Sequence, residues 1–220
     1  MLSSFRLCLS ILTAALLPSP SFFAFDTPLS DQAVREAYFL GQRHDESMAR
    51  LLSRYTMFLP PPSTGPHIYA VTLLTPFALL VQHSSRQSNY SAQQAAKDHH
   101  ADDEFVSISI EILLTQSYGP LIARPTSSRS GSPIGYQFRS SSFWRTFKLR
   151  VFDGEEEITT DHLTGEPTYF CASKGGCRLT GAIIHLQLSA TAFASDTATI
   201  DVTSPEGDSV SVNFDLNALR

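Results

Sequence analysis

The chain has 220 residues, of which 42% are apolar and 17% charged, with a formal net charge of -5. That composition can fill a hydrophobic core and excludes a chain that is disordered throughout. A charge of this size identifies no partner: no nucleic acid is expected, and no motif implies a cofactor.

Residues 1–24 differ in character from the rest of the chain. Arg6 supplies a positive start, Leu7 to Leu17 an apolar stretch too short to span a bilayer, and Pro18 to Ala24 a breaker with cleavage expected after Ala24. A secretory signal peptide is expected over 1–24, and with it an exported protein, periplasmic or extracellular, with no transmembrane segment in the mature chain. Cys8 sits inside the apolar stretch behind Leu7, which argues against lipidation. Phe22 is not the small residue a cleavage site prefers, so the point of cleavage stays open.

A helical pair is expected over 25–60. Thr27-Pro28 offers a cap followed by a first-turn proline, Val34, Ala37, Tyr38 and Phe39 recur at helical spacing, and Gly41 is the expected end. A second helix starts near Asp45, carries Met48, Leu51, Leu52, Tyr55 and Phe58 on one face, and stops at Pro60-Pro61-Pro62. The stiff stretch 60–66 is the expected connector to the rest of the chain, 61–220.

Beyond it, Ile68 to Leu74 reads as a strand, Thr75-Pro76 caps a short helix through Val81, and Ser91 caps another over 92–101. Val106, Ile108, Ile110, Ile112 and Leu114 then alternate with polar residues, as a half-buried strand does. Between 117 and 142 Ser, Gly, Pro and Arg dominate and no apolar period is sustained, so a mobile loop is expected. Strand spacing resumes at Phe147, Leu149 and Val151.

Cys171 and Cys177 remain after export, an even pair around a Gly-Gly turn in an oxidising compartment, and read as a disulfide stapling a hairpin. A loop so short stabilises by roughly 2 kcal/mol in the chain-entropy account. Ile184, Leu186 and Leu188, then Ala198, Ile200 and Val202, then Val210, Val212, Phe214 and Leu216 keep strict alternation. The turn Pro205-Glu206-Gly207-Asp208 joins the last two runs into an antiparallel hairpin. About eight strands are expected after Pro66. The fold class is α+β, mainly β: an antiparallel β-sandwich with a short N-terminal helical pair and one or two inserted helices.

Two groups of residues carry chemistry. On a continuous helix His99 and Asp103, and likewise His100 and Glu104, stand four apart on one face, a spacing that offers imidazole and carboxylate to a divalent metal. The same residues equally suit the solvated end of a polar helix, and no second ligand set is found. In the second group Arg124, Arg129, Arg139 and Arg145 are interleaved with Tyr136, Phe138, Phe143 and Trp144, a mixture suited to an anionic surface or simply to a soluble insertion. From 105 to 150 there are six basic residues and one acid, whereas 151–220 holds eleven acids and three bases. No nucleophile elbow, phosphate-cradling loop or dinucleotide fingerprint is present.

Ala37-Tyr38-Phe39-Leu40-Gly41-Gln42-Arg43, Tyr90-Ser91-Ala92-Gln93-Gln94-Ala95, Phe143-Trp144 and the stretches around Ser195-Asp196, Pro205-Glu206-Gly207 and Phe214-Asp215-Leu216 together resemble short exported bacterial proteins of acidobacterial type. The resemblance implies bacterial export and brings no catalytic residue. The expected function is a non-catalytic binding or scaffolding module of the cell envelope, facing an envelope protein or an anionic envelope component through Arg124, Arg129, Tyr136, Arg139, Trp144 and Arg145. A metal-dependent hydrolase using His99, His100, Asp103 and Glu104 is the alternative. An assembly subunit or chaperone acting through a strand edge is the third.

Overall fold

The computed structural model describes residues 25–125, 134–160, 162–173 and 175–220. The expected signal peptide, with Arg6 and Cys8, lies outside the described residues. The chain is mainly-β α+β, built as α1 (Asp31–Gln42), α2 (Glu46–Ser53), β1 (Thr56–Phe58), β2 (His67–Leu74), α3 (Pro76–Arg86) and α4 (Ala92–Ala101), followed by β3 (Phe105–Leu113). Next come β4 (Leu121–Pro125), β5 (Ile134–Phe138), β6 (Lys148–Asp153), β7 (Glu156–Ile158), β8 (Thr164–Cys171), β9 (Cys177–Ser189), β10 (Thr197–Thr203) and β11 (Ser209–Asp215).

Each helix begins where a side chain can take up an orphan N–H. Asp45 accepts from Ser47 and Met48, Thr75 from Ala78 and Ser91 from Gln94. The cap of α1 is Ser30, which accepts from Ala33 N–H at 3.2 Å, and not Thr27, whose hydroxyl is committed elsewhere. Gly41 does not end α1; the helix runs through it to Gln42. A Cβ at Gly41 would come 2.4 Å from the Val81 carbonyl oxygen, so the residue is small because α1 and α3 touch backbone to backbone there.

The second helix is shorter than its apolar spacing predicts. It stops at Ser53, and the chain becomes the edge strand β1. Tyr55 carries no helical stripe; it is buried in the core and hydrogen-bonds both backbone groups of Arg220, donating to the oxygen at 2.9 Å and accepting from the N–H at 3.0 Å. Leu73 N–H donates to the Tyr55 carbonyl, which ties this corner to β2. α3 also departs from expectation, continuing past Val81 to Arg86.

One sheet has the order β1-β2-β3-β9-β8 and the other β11-β10-β6-β7, antiparallel at every pairing. In the first, Ile108 faces Leu186, Ile110 faces Ile184 and Ile112 faces Ala182. In the second, Ile200 stands between Val151 and Val212. These side chains form one apolar core shared by both sheets, together with Val71, Leu73, Phe193 and Phe214. A second cluster, Leu29, Val34, Ala37, Phe77, Val81 and Ala95, joins α1 to α3 and α4, and Leu51 and Leu52 of α2 touch both clusters.

The expected hairpin of the last two strands is present, with Ser204 N–H donating to Asp208 O at 2.8 Å and Gly207 N–H to Ser204 O at 3.1 Å. The disulfide joins Cys171 to Cys177 directly across β8 and β9. The stretch 117–142, read as a loop, holds the two-stranded ribbon β4–β5. Its strands are five residues each, too short to show a period against a background of Ser, Gly and Pro.

Candidate functional site

The His-rich end of α4 is not a continuous helical face. The helix ends at Ala101, and Asp102 is extended, so Asp103 and Glu104 leave the helix before the four-residue spacing can act. The two imidazoles consequently meet different carboxylates. His99 Nε2 lies 3.0 Å from Glu104 Oε1, with side chains only 14% and 11% exposed, whereas His100 Nε2 reaches Asp31 at 3.1 Å in solvent. Glu104 also accepts from Leu29 N–H at 2.6 Å and from the Thr27 hydroxyl. It is thereby the anchor of the segment leading into α1. No group of three or more His, Cys, Asp or Glu placed to hold a metal ion occurs among the described residues.

The same turn closes a cleft. On α3, Pro76, Leu79, Leu80 and His83 form one helical stripe, and on α4 Ala95, Asp98 and His99 form another; the two face across a space of about 310 Å³ ending at Phe105. Tyr90 forms part of the wall, its hydroxyl donating to Asp98 Oδ2 at 3.1 Å and its ring edge-on to His83. Gln94 donates to the other Asp98 oxygen at 2.5 Å. Burial, and then the bond to Asp98, push the Tyr90 phenol up to about 12. Tyr90, Asp98, Leu79 and Leu80 are not among the residues that sequence reasoning selects. Their only signal is that two consecutive helices each present a stripe with no partner strand.

The basic and aromatic residues separate into an inner and an outer set. Trp144 is an inner residue, 7% exposed, on a single 3-10 turn over Phe143–Thr146. Its indole lies flat on β8, where a Cβ at Gly165 would stand 2.7 Å from Trp144 Cδ2. Expected as a surface binding residue, it is instead a core residue, because β8 offers it a bare backbone. Arg145 remains exposed and lies over the indole with its guanidinium 5.2 Å from the ring. Arg139 stacks on Tyr118 at 3.5 Å and donates through Nε to Gly119 O at 2.8 Å, which secures the base of the ribbon. Burial raises the Tyr118 phenol, and the nearby Arg139 charge only partly offsets it.

The outer set lies on the ribbon. Leu121 pairs with Phe138 and Ala123 with Tyr136, so alternate residues of both strands project to one side. Leu121 is 51%, Tyr136 74% and Phe138 80% exposed. Of the expected arginines, Arg124 lies on β4 and Arg129 lies outside the described residues. Leu121 is not a residue that sequence reasoning selects; two alternations per strand leave little to find.

Of the other histidines, His67 is buried and donates to Leu59 O at 2.9 Å, and His185 stands 4.0 Å from Glu166. No helix among the described residues is long and apolar enough to cross a membrane. These features define a disulfide-bonded, mainly-β chain with an exposed apolar ribbon and a helix-walled cleft. Comparison with protein-family models, curated proteins and solved structures finds nothing that matches it.

Proposed function

We propose that the chain is an exported, non-catalytic binding module of the bacterial cell envelope that docks on an anionic lipid surface through the β4–β5 ribbon. The observation that carries this reading is the one-sided display of Leu121, Tyr136 and Phe138 in a stretch, 117–142, that has three arginines and no acidic residue. Aromatic rings settle at the boundary of headgroups and acyl chains, and basic residues are drawn to anionic headgroups. Support for export comes from the disulfide, which persists in oxidising compartments, and from the signal-like stretch 1–24.

Magnitudes indicate how the work divides. A ring moved out of water contributes about 1.5–3 kcal/mol, and a basic residue near an anionic surface about 1 kcal/mol. Removing two rings should therefore weaken docking more than removing two arginines.

The test is co-sedimentation with vesicles of phosphatidylglycerol and phosphatidylethanolamine, against vesicles of phosphatidylcholine alone. The protein should bind the anionic vesicles and release them as salt rises. Tyr136→Ser with Phe138→Ser should lower the affinity at least tenfold, and replacing Arg124, Arg129 and Arg145 by Ser, with the ribbon brace Arg139 kept, should also weaken it. Failure to bind anionic vesicles, or binding that neither variant changes, would remove the ribbon from the mechanism and leave an envelope protein as the partner to seek.

A further inference from the structure

We propose that the cleft between α3, α4 and the start of β3 is a second binding site, for a small organic cation: an amine carried on a short alkyl chain or a single ring. The cleft, about 310 Å³, is at the lower end of the size that small-molecule sites occupy. Its floor is apolar, from Leu79, Leu80 and Phe105, none of which is fully buried. A ligand entering it removes these side chains from water, which an ion alone cannot do.

The walls set the charge. Four carboxylates, Asp98, Asp102, Asp103 and Glu104, border the space against a single permanent cation, Arg86. Their roles differ. Asp98 and Glu104 are already held by internal partners, Tyr90 and Gln94 in one case and Thr27, Leu29 and His99 in the other, so their carboxyl groups are fixed in place in a partly shielded wall. Asp102 and Asp103 stand exposed at the rim, where α4 has just ended. Tyr90 lines the same wall, its ring packed against His83 and its hydroxyl held by Asp98. A cationic head at the rim carboxylates gains Coulomb attraction, while its apolar body lies on the leucines. An anion of the same shape would meet the four carboxylates and is rejected.

Isothermal titration with 2-phenylethylamine, set against 3-phenylpropionate as the anion of matched shape, tests this on the full-length protein. The amine should bind saturably and the carboxylate should not. Asp102→Asn with Asp103→Asn, both at solvent-exposed positions, should weaken amine binding at least tenfold with an unchanged melting temperature. Amide NMR shifts on adding the amine should concentrate at Leu79, Leu80 and Phe105. The Tyr136→Ser, Phe138→Ser protein should bind the amine as the unmodified chain does, which separates this site from the ribbon. No saturable amine binding, equal binding of the carboxylate, or indifference to the Asp102 and Asp103 changes would overturn the assignment.

Discussion

The Glu104 carboxylate gathers three donors from two distant parts of the chain: the Thr27 hydroxyl, Leu29 N–H and the His99 ring. Leu29 is buried, and without the carboxylate its N–H loses its hydrogen-bond partner. Glu104→Ala should cost about 1–3 kcal/mol, the usual penalty for an orphaned buried donor, read as a lower urea midpoint with an unchanged slope. A second residue makes a pH prediction. Tyr90 has its phenol raised from 10.0 to about 12, first by burial and then by its bond to Asp98. Between those values the unfolded chain has lost a proton that the folded chain keeps. This contribution to stability is therefore present below about 10 and lost as the pH rises through about 12. Tyr90→Phe keeps the ring beside His83 and should flatten that part of the alkaline decline in a pH series of thermal melts.

A two-stranded ribbon with an exposed apolar face is marginal by itself. What holds β4–β5 lies at its base, where Arg139 stacks on Tyr118, donates through Nε to Gly119 O, and extends the pairing from its own N–H to Pro120 O at 2.7 Å. Arg139→Ala should raise amide hydrogen exchange within 121–125 and 134–138 by tenfold or more, and leave the β3–β9 amides unchanged. The ribbon is hidden in the sequence for the reason that makes it available for docking: its few apolar residues face solvent and complete no stripe. In β3 the period is plain, because Val106, Ile108, Ile110 and Ile112 all face one core.

Across the whole molecule, Arg220 joins the layers. Its backbone pairs with Tyr55 and accepts from Thr75, and its guanidinium reaches Glu36 while lying over the Phe77 ring at 4.7 Å. Helices α1 and α3 are thereby fastened to the corner between α2 and β1. Tyr55→Phe keeps the buried ring and removes both bonds to Arg220. A loss of about 1–2 kcal/mol is expected, which for a chain of this size lowers the melting temperature by roughly 2–8 °C.

Alternation along 184–188, 198–202 and 210–214 determined those strands and their hairpin from sequence alone, and the spacing of Cys171 and Cys177 around two glycines determined the disulfide. Both are local properties, written in neighbouring stretches of the chain. Only the tertiary structure decided that β3 pairs with β9 and β6 with β10, that Tyr55 leaves its helix for Arg220, that Trp144 lies inward on Gly165, and that Glu104 turns from its helical neighbour His100 to Thr27 and Leu29. Each of these is settled by a partner far along the chain, and a sequence period records which face is apolar without recording what will cover it.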